Sequence, residues 1–156
     1  MKFVVHDGGR KKAGYKGKTG DCFVRATAIT TKKPYQEIYD AVIELGKKER
    51  IGKNKTKRSH PRTGVYRTCA HKYLLANGFE WIPARIKITD VPLGIIIVNL
   101  RKHYAAVING VLYDTWNCSK HGEAFVYGYW IKKPEVVQPK PIFLLTTNLY
   151  GVRLSA

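Results

Sequence analysis

The segment IIIVNLRKHYAAVINGVLYDTW, residues 95–116, decides how this chain is expected to fold. Its β-branched and aromatic residues are typical of strands. The dipeptide Asn109-Gly110 is the strongest short-range signal for a β-hairpin, because a type I′ turn needs a positive φ at both central residues. The segment therefore predicts three strands of an antiparallel sheet, at residues 95–100, 103–108 and 111–116.

The hairpin register brings two polar residues together. A two-residue turn pairs Ala105 with Asp114 and His103 with Trp116, so His103 and Asp114 are diagonal neighbours on one face. Such neighbours are roughly 7–8 Å apart at the backbone, within reach of an imidazole and a carboxylate that lean toward each other. We therefore expect Asp114 to orient His103. Asn117, just past the strand, is the second choice for this role.

Upstream of this segment, apolar residues recur at helical spacing. A first helix is predicted at residues 22–30, a second begins at Pro34 and ends at Gly46, and a third covers residues 65–76. Further strands are predicted at residues 3–5, 79–82, 126–131 and 142–145. This order predicts an α+β fold in which N-terminal helices pack on a C-terminal antiparallel sheet.

Cys22 lies at the predicted start of the first helix, directly after Asp21, a residue type that can cap a helix. Backbone N–H groups and the helix dipole favour a thiolate there, the form of cysteine that acts as a nucleophile. A cysteine, then a histidine on a strand, then an acid or amide is the chain order of papain-like thiol enzymes. The sequence thus predicts a triad of Cys22, His103 and Asp114.

The two other cysteines have structural interpretations. Cys69 lies on the apolar face of the third predicted helix and is expected in the core. Cys118 lies in a polar turn and is expected to be exposed. The wide cysteine spacing predicts neither a disulfide framework nor a CxxC metal pair, and no histidine stands at zinc-ligand spacing, so we expect no metal site and no cofactor.

Residues 20–130 contain four stretches that carry a family resemblance, namely GDCFVRATAITTKKPYQEIYDAV, RTGVYRTCAHKYLLANGFEWIP, IIIVNLRKHYAAVINGVLYDTW and VYGYW. They resemble small bacterial and bacteriophage proteins with a papain-like cysteine-peptidase fold. The resemblance implies Cys22 as nucleophile, His103 as general base and Asp114 as orienting residue.

One feature of papain-like peptidases is missing. These enzymes usually have a glutamine a few residues before the cysteine as an oxyanion donor, and this chain has none there. The backbone N–H of Cys22 is the first candidate donor. Side-chain candidates from the preceding loop are Tyr15, Lys18 and Thr19.

The chain is strongly basic: its 156 residues include 28 Lys or Arg and 11 Asp or Glu, a formal net charge of +17. Residues 47–62 hold eight basic residues against one acid and have no apolar periodicity, which predicts a solvated, flexible loop. Its positive charge would attract a nucleic acid or another polyanion. The residues predicted to bind the polyanion are Lys53, Lys55, Lys57 and Arg58.

Length and composition predict one domain over residues 1–156. Residues 1–19 are expected to be a flexible basic segment after a short strand, and residues 133–156 a tail or an edge strand. No apolar run approaches the roughly 18 residues of a membrane span, and no signal-peptide core is evident. We expect a cytoplasmic protein without a membrane partner, in the host cytoplasm if the protein is phage-encoded.

Two functions follow as hypotheses. The first is a cysteine hydrolase, a peptidase or amidase or a related acyl transferase, whose protein or peptide substrate is acidic or bound to a polyanion. The alternative is a non-catalytic, basic, nucleic-acid-binding phage protein, which needs only the positive charge.

Overall fold

The computed structural model describes residues 1–53 and 55–134, and its elements alternate little between helix and strand. The helices are α1 (Cys22–Thr31), α2 (Tyr35–Lys47) and α3 (Arg67–Ala76). The strands are β1 (Lys2–Val5), β2 (Phe79–Ile82), β3 (Ile86–Lys87), β4 (Ile95–Leu100), β5 (His103–Ile108), β6 (Val111–Asp114), β7 (Phe125–Val126) and β8 (Tyr129–Lys132). The strand predicted at residues 142–145 lies outside the described residues, as does all but the start of the predicted tail at 133–156.

Six of the strands form one sheet in the order β1-β6-β5-β4-β8-β2, and β3 pairs separately with β7. Only β1 runs parallel to its neighbour, β6, and the other pairings in the described residues are antiparallel. The three helices precede every strand except β1. The structure therefore confirms an α+β fold with helices before a mostly antiparallel sheet. Among the described residues, no helix combines the length and apolar character needed to cross a membrane.

The helices cover one face of the sheet, and α1 is buried on nearly all sides. Phe23 of α1 packs edge-on against Tyr104 of β5 and Tyr73 of α3, with ring centroids 5.5 Å and 6.2 Å away. The opposite face has its own core. Ile97 of β4 belongs to the helix side, whereas its neighbour Ile96 belongs to the other side, as the alternation of side chains along a strand requires.

The hairpin register is confirmed. Val107 pairs with Leu112, and both turn residues have positive φ, 48° at Asn109 and 78° at Gly110. However, β6 ends at Asp114 and does not continue to Trp116 as predicted. The Asp114 carboxylate accepts a hydrogen bond from the backbone N–H of Thr115 at 2.7 Å, a local turn that competes with continued strand pairing.

Two glycines change the predicted element boundaries. The strand predicted at residues 126–131 is divided into β7 and β8 by Gly128, which has φ +135° and lies against Trp81. Gly46 does not end α2, because the helix continues to Lys47. A Cβ atom at Gly46 would clash with the carbonyl oxygen of Ser59, so this glycine permits close packing of the following loop.

That basic loop, residues 47–62, differs from the flexible segment that its composition predicts. Its single acid, Glu49, accepts hydrogen bonds from the N–H and the hydroxyl of Ser59 at 2.5 Å and 2.9 Å. Glu49 also forms an ion pair with Lys55 at 2.8 Å. The hydroxyl of Ser59, a buried residue, accepts a further bond from the N–H of Tyr66 at 3.0 Å. The loop is therefore pinned to the start of α3.

Residues 1–19 are likewise bonded into the fold, which differs from the flexible segment predicted after the first strand. β1 pairs with β6, and the carboxylate of Asp7 accepts hydrogen bonds from the N–H groups of Gly9 and Lys11 at 2.9 Å each. Gly8, at φ +66°, lies so close to Arg25 that a Cβ atom would stand 2.8 Å from the Arg25 Cα. The segment thus packs directly on α1.

Candidate active site

Cys22 is the first residue of α1 and is half-buried. The first N–H groups of a helix have no partner within the helix, so this terminus favours a negative charge on the Cys22 sulfur. Asp21 precedes it, but its side chain makes no capping hydrogen bond, in contrast to the sequence-based expectation. Its carboxylate is directed instead toward a buried arginine.

His103 and Asp114 are in direct contact, as the predicted register of the hairpin indicates. The His103 Nε2 atom lies 2.5 Å from the Asp114 Oδ2 atom. His103 starts β5 and Asp114 ends β6. The N-terminal segment fixes the backbone at this point, because Val5 pairs with Asp114 and the N–H of His6 donates to the Asp114 carbonyl at 2.9 Å. Trp116 packs beside the imidazole, with ring centroids 5.4 Å apart.

The electrostatics favour an imidazolium–carboxylate pair. Burial alone would lower the pKa of His103, but hydrogen bonds to Asp114, Cys118 and Cys22 outweigh it and raise the pKa to about 11. Burial would raise the pKa of Asp114, and its hydrogen bond to His103 reverses the effect and leaves the pKa below its usual range. The two directions agree, since each group stabilises the charged form of the other.

The buried side chain of Arg25 forms ion pairs with two carboxylates, those of Asp21 and Asp114. Its Nη2 atom donates to the Asp114 Oδ1 atom at 3.2 Å, and its Nη1 atom donates to Asp21 one helical turn earlier. Asp21 also accepts from the hydroxyl of Tyr35 at 2.7 Å and lies 3.3 Å from the Arg10 Nε atom. A continuous network of buried hydrogen bonds therefore leads from α2 through Asp21 and Arg25 to the Asp114–His103 pair.

The sequence-based reasoning did not identify this network. The spacing of Asp21 and Arg25, four residues apart on a helix, is a signal for an ion pair, but such pairs are usually solvated. The contact of Arg25 with Asp114 spans 89 positions. Nothing local to either residue indicates it.

Cys118 lies in the site, although the sequence predicts an exposed thiol. The residue is buried, because the chain after β6 turns back and packs its sulfur into the core opposite the helices. Ligand atoms of His103, Asp114 and Cys118 all lie within 4.8 Å of one another, a set that could hold a metal ion. An ion bound there through Nε2 would have to replace the His103–Asp114 hydrogen bond, so metal binding and orientation of His103 by Asp114 exclude each other.

The remaining predicted site residues occupy different environments. Asn117 is exposed, and its Oδ1 atom accepts from the N–H and hydroxyl of Ser119 at 3.1 Å and 2.6 Å. Cys69 is buried in the core as predicted, and burial raises the pKa of its thiol. Of the basic residues, Lys53 is exposed and Lys55 is paired with Glu49.

The predicted side-chain oxyanion donors also differ among themselves. The Tyr15 hydroxyl donates to Gln36 at 2.8 Å, and Lys18 is exposed. The hydroxyl of Thr19 is buried and has no hydrogen-bond partner among the described residues. Asn99, which the sequence did not single out, lines the cavity that contains Cys22.

That cavity has a volume of about 570 Å³ and is open to solvent. Cys22 and His103 lie in its wall, and the basic loop contributes Lys57 and Arg58. Lining residues also come from the segments before α1 and α3, from β4, from the β4–β5 turn and from β5, namely Gly20, Thr63, Gly64, Val65, Tyr66, Asn99, Lys102 and Tyr104. A thiol and an imidazole thus line one cleft of the size typical for ligand sites, and the imidazole is hydrogen-bonded to the buried Asp114 carboxylate.

Comparison with protein-family models, curated proteins and solved structures finds no match.

The raised pKa of His103 gives a testable prediction. A group whose pKa is raised in the folded protein stays protonated between its ordinary value, about 6.5, and its folded value. We expect the His103 imidazole to remain protonated from pH 6 to pH 9, as measured by its ¹⁵N chemical shifts in NMR spectra. The stability that its interaction with Asp114 contributes is fully present below the ordinary pKa, decreases as the pH rises across that window, and is lost once the pH exceeds the folded pKa. A titration midpoint near the ordinary value would contradict the hydrogen-bonded ion pair.

Proposed function

We propose that this chain is a papain-like cysteine hydrolase, a peptidase or amidase or a related acyl transferase. The observation that carries the proposal is the convergence of Cys22, at a helix N-terminus, with the hydrogen-bonded pair of His103 and Asp114 at one cleft. Nucleophile, base and orienting group in mutual contact are what covalent acyl transfer requires.

The chemistry follows from the charges of these residues. The Cys22 sulfur attacks the carbonyl carbon of an amide or ester, and the imidazolium of His103 donates its proton to the leaving group. The carbonyl then reforms in a thioester on Cys22. His103, now neutral, accepts a proton from water, the resulting hydroxide attacks the thioester, and the acid product leaves as the thiolate returns.

The developing negative charge on the carbonyl oxygen needs hydrogen-bond donors. The backbone N–H of Cys22 is the first candidate, since the first N–H groups of a helix lack partners within it. The amide of Asn99 is a second candidate because it lines the same cavity. Thr19, whose buried hydroxyl has no hydrogen-bond partner among the described residues, is another side-chain candidate for this donor. The Tyr15 hydroxyl already donates to Gln36.

The alternative hypothesis, a non-catalytic nucleic-acid-binding protein, is supported by the net charge of +17. Charge alone gives no reason for a buried arginine and a strand terminus to hold Asp114 against His103. The hydrolase accounts for both the charge and the site, because a basic enzyme can act on an acidic or polyanion-bound substrate.

Covalent labelling tests the proposal. We expect a brief pulse of iodoacetamide at pH 6–7 to alkylate Cys22 faster than Cys69 and Cys118, which are buried. An amide-mimicking electrophile should likewise add one equivalent of mass to the wild type and none to the Cys22→Ala variant. Peptide mapping identifies the site. Faster labelling of Cys69 or Cys118, or equal labelling of Cys22→Ala, would refute Cys22 as the nucleophile.

A further inference from the structure

Three cations line the cleft beside Cys22, namely Lys57, Arg58 and Lys102, and no lining residue is an Asp or Glu. Among the described residues, none of the three has a carboxylate within ion-pair distance. No carboxylate in the described part of the chain therefore neutralises these three charges. A concave site lined by one sign of charge concentrates its field and attracts the opposite charge.

The positions of these cations are set by the fold. Lys57 and Arg58 immediately precede Ser59, whose backbone and hydroxyl are clamped by Glu49, and the Arg58 Nε atom donates to the Glu49 carbonyl at 3.3 Å. Lys102 directly precedes His103 and has a φ of 57°, within the tight β4–β5 turn. Charges held on ordered backbone lose less conformational freedom when they bind a ligand.

The dimensions of the cleft indicate an extended chain. A cavity of about 570 Å³ is roughly 10 Å across, which corresponds to about three extended residues. Lys102 and His103 also line a second hollow of about 370 Å³, which contains the exposed Trp116. The cleft thus continues on both sides of the base, as a peptide that passes the nucleophile requires. The cations lie next to an atom that attacks carbonyl carbon, and nucleic acid backbones offer no such group.

We infer that the cleft selects a peptide with a carboxylate side chain within about three residues of the carbonyl that Cys22 attacks. Lys57 and Arg58 bind this carboxylate, and the positive charge of Lys102, in the β4–β5 turn, adds to the attraction. The inference rests on the proposed function, because it names the substrate class of the same site.

A binding measurement tests the inference without relying on catalysis. The Cys22→Ala protein is titrated with two fluorescent decapeptides that differ only in having Glu or Gln at the central four positions. We expect the Glu peptide to bind about tenfold or more tightly, because a hydrogen bond to a charged group contributes that much. The substitutions Lys57→Gln and Arg58→Gln together should abolish the preference.

A matched control removes the same charge from the same loop. Lys48 and Arg50 are exposed and do not line the cleft, so Lys48→Gln with Arg50→Gln should keep the preference for Glu. An equal loss in both double variants would mean that only the total charge matters and would overturn the inference, as would equal binding of the two peptides. A DNA duplex that binds more tightly than the Glu peptide and is weakened only by Lys57→Gln with Arg58→Gln would assign the cleft to nucleic acid, which also overturns it.

The same titration separates the inference from the proposed function. If the preference for Glu depends on Lys57 and Arg58 but no electrophile labels Cys22, the proposed hydrolase function is wrong and the cleft is a binding site for acidic peptides. If Cys22 is labelled and the two peptides bind equally, the hydrolase stands and the inference fails.

Discussion

Replacing Asp114 by Asn is expected to lower turnover by about 10³- to 10⁴-fold while the protein stays folded. The carboxylate accepts a hydrogen bond from the Nε2–H group of His103 and stabilises the imidazolium form. A neutral amide can present its NH₂ group to the same nitrogen, which would select the wrong tautomer. It also removes the charge that raises the pKa of His103, so that pKa should fall toward its ordinary value.

The measurement combines a rate with a titration. Hydrolysis of a fluorogenic peptide amide reports turnover, and the ¹⁵N shifts of His103 report its protonation. A merely structural role for Asp114 would reduce the folded fraction and leave the pH profile of the remaining activity unchanged. Asp90→Asn serves as the control, because Asp90 is exposed and should leave both readouts unchanged.

The outcome also decides between the two candidate orienting residues. Asn117→Ala should retain activity, since its side chain is bonded to Ser119. If Asp114→Asn has wild-type activity and Asn117→Ala does not, Asn117 is the orienting residue and the role of Asp114 is structural.

The sequence predicts those parts of the fold that depend on local chemistry. The Asn109-Gly110 turn specifies a register, and the register alone brings His103 toward Asp114. The spacing of apolar residues likewise locates the three helices to within a few residues. Each of these features is determined by residues that are close in the sequence.

Features that depend on distant contacts could not be predicted in this way. Glu49 and Ser59 show no periodicity, yet a clamp between them orders the basic loop and directs Lys57 and Arg58 to the cleft. Cys118 lies in a polar turn, and only the return of the chain onto the sheet buries it. The same holds for Arg25, whose partner Asp114 joins it only when the sheet forms against α1.

Arg25 gives the largest expected effect on stability. Its side chain is 7% exposed, and it lies between two carboxylates that are 0% and 3% exposed, those of Asp21 and Asp114. Replacing it by Met keeps much of the volume and leaves both acids without their shared cation. We expect the free energy of unfolding to fall by about 3–5 kcal/mol, the usual cost of breaking a buried ion pair from one side.

Chemical denaturation at pH 7 measures this change, and two variants serve as controls. Lys47→Met breaks an exposed pair with Glu44 and should leave the free energy of unfolding nearly unchanged, because solvent screens exposed ion pairs. The double variant Asp21→Asn with Arg25→Met should lose less free energy of unfolding than the sum of the two single variants. The reason is that Asp21→Asn removes a carboxylate charge that Arg25→Met would leave without its partner.

The effect of Arg25→Met should depend on pH in a defined direction. The pKa of Asp114 is lowered in the folded protein, so its ionised form contributes stability above the ordinary carboxyl pKa, and this is lost as the pH falls through the folded value. Without Arg25 the pKa of Asp114 in the folded protein rises. The wild type is therefore no longer more stable than Arg25→Met through this ion pair once Asp114 is protonated in both variants. We therefore expect the stability difference to be largest at neutral pH and to shrink below about pH 4. A difference that is small at pH 7, or that grows on acidification, would show that Arg25 does not neutralise these buried carboxylates.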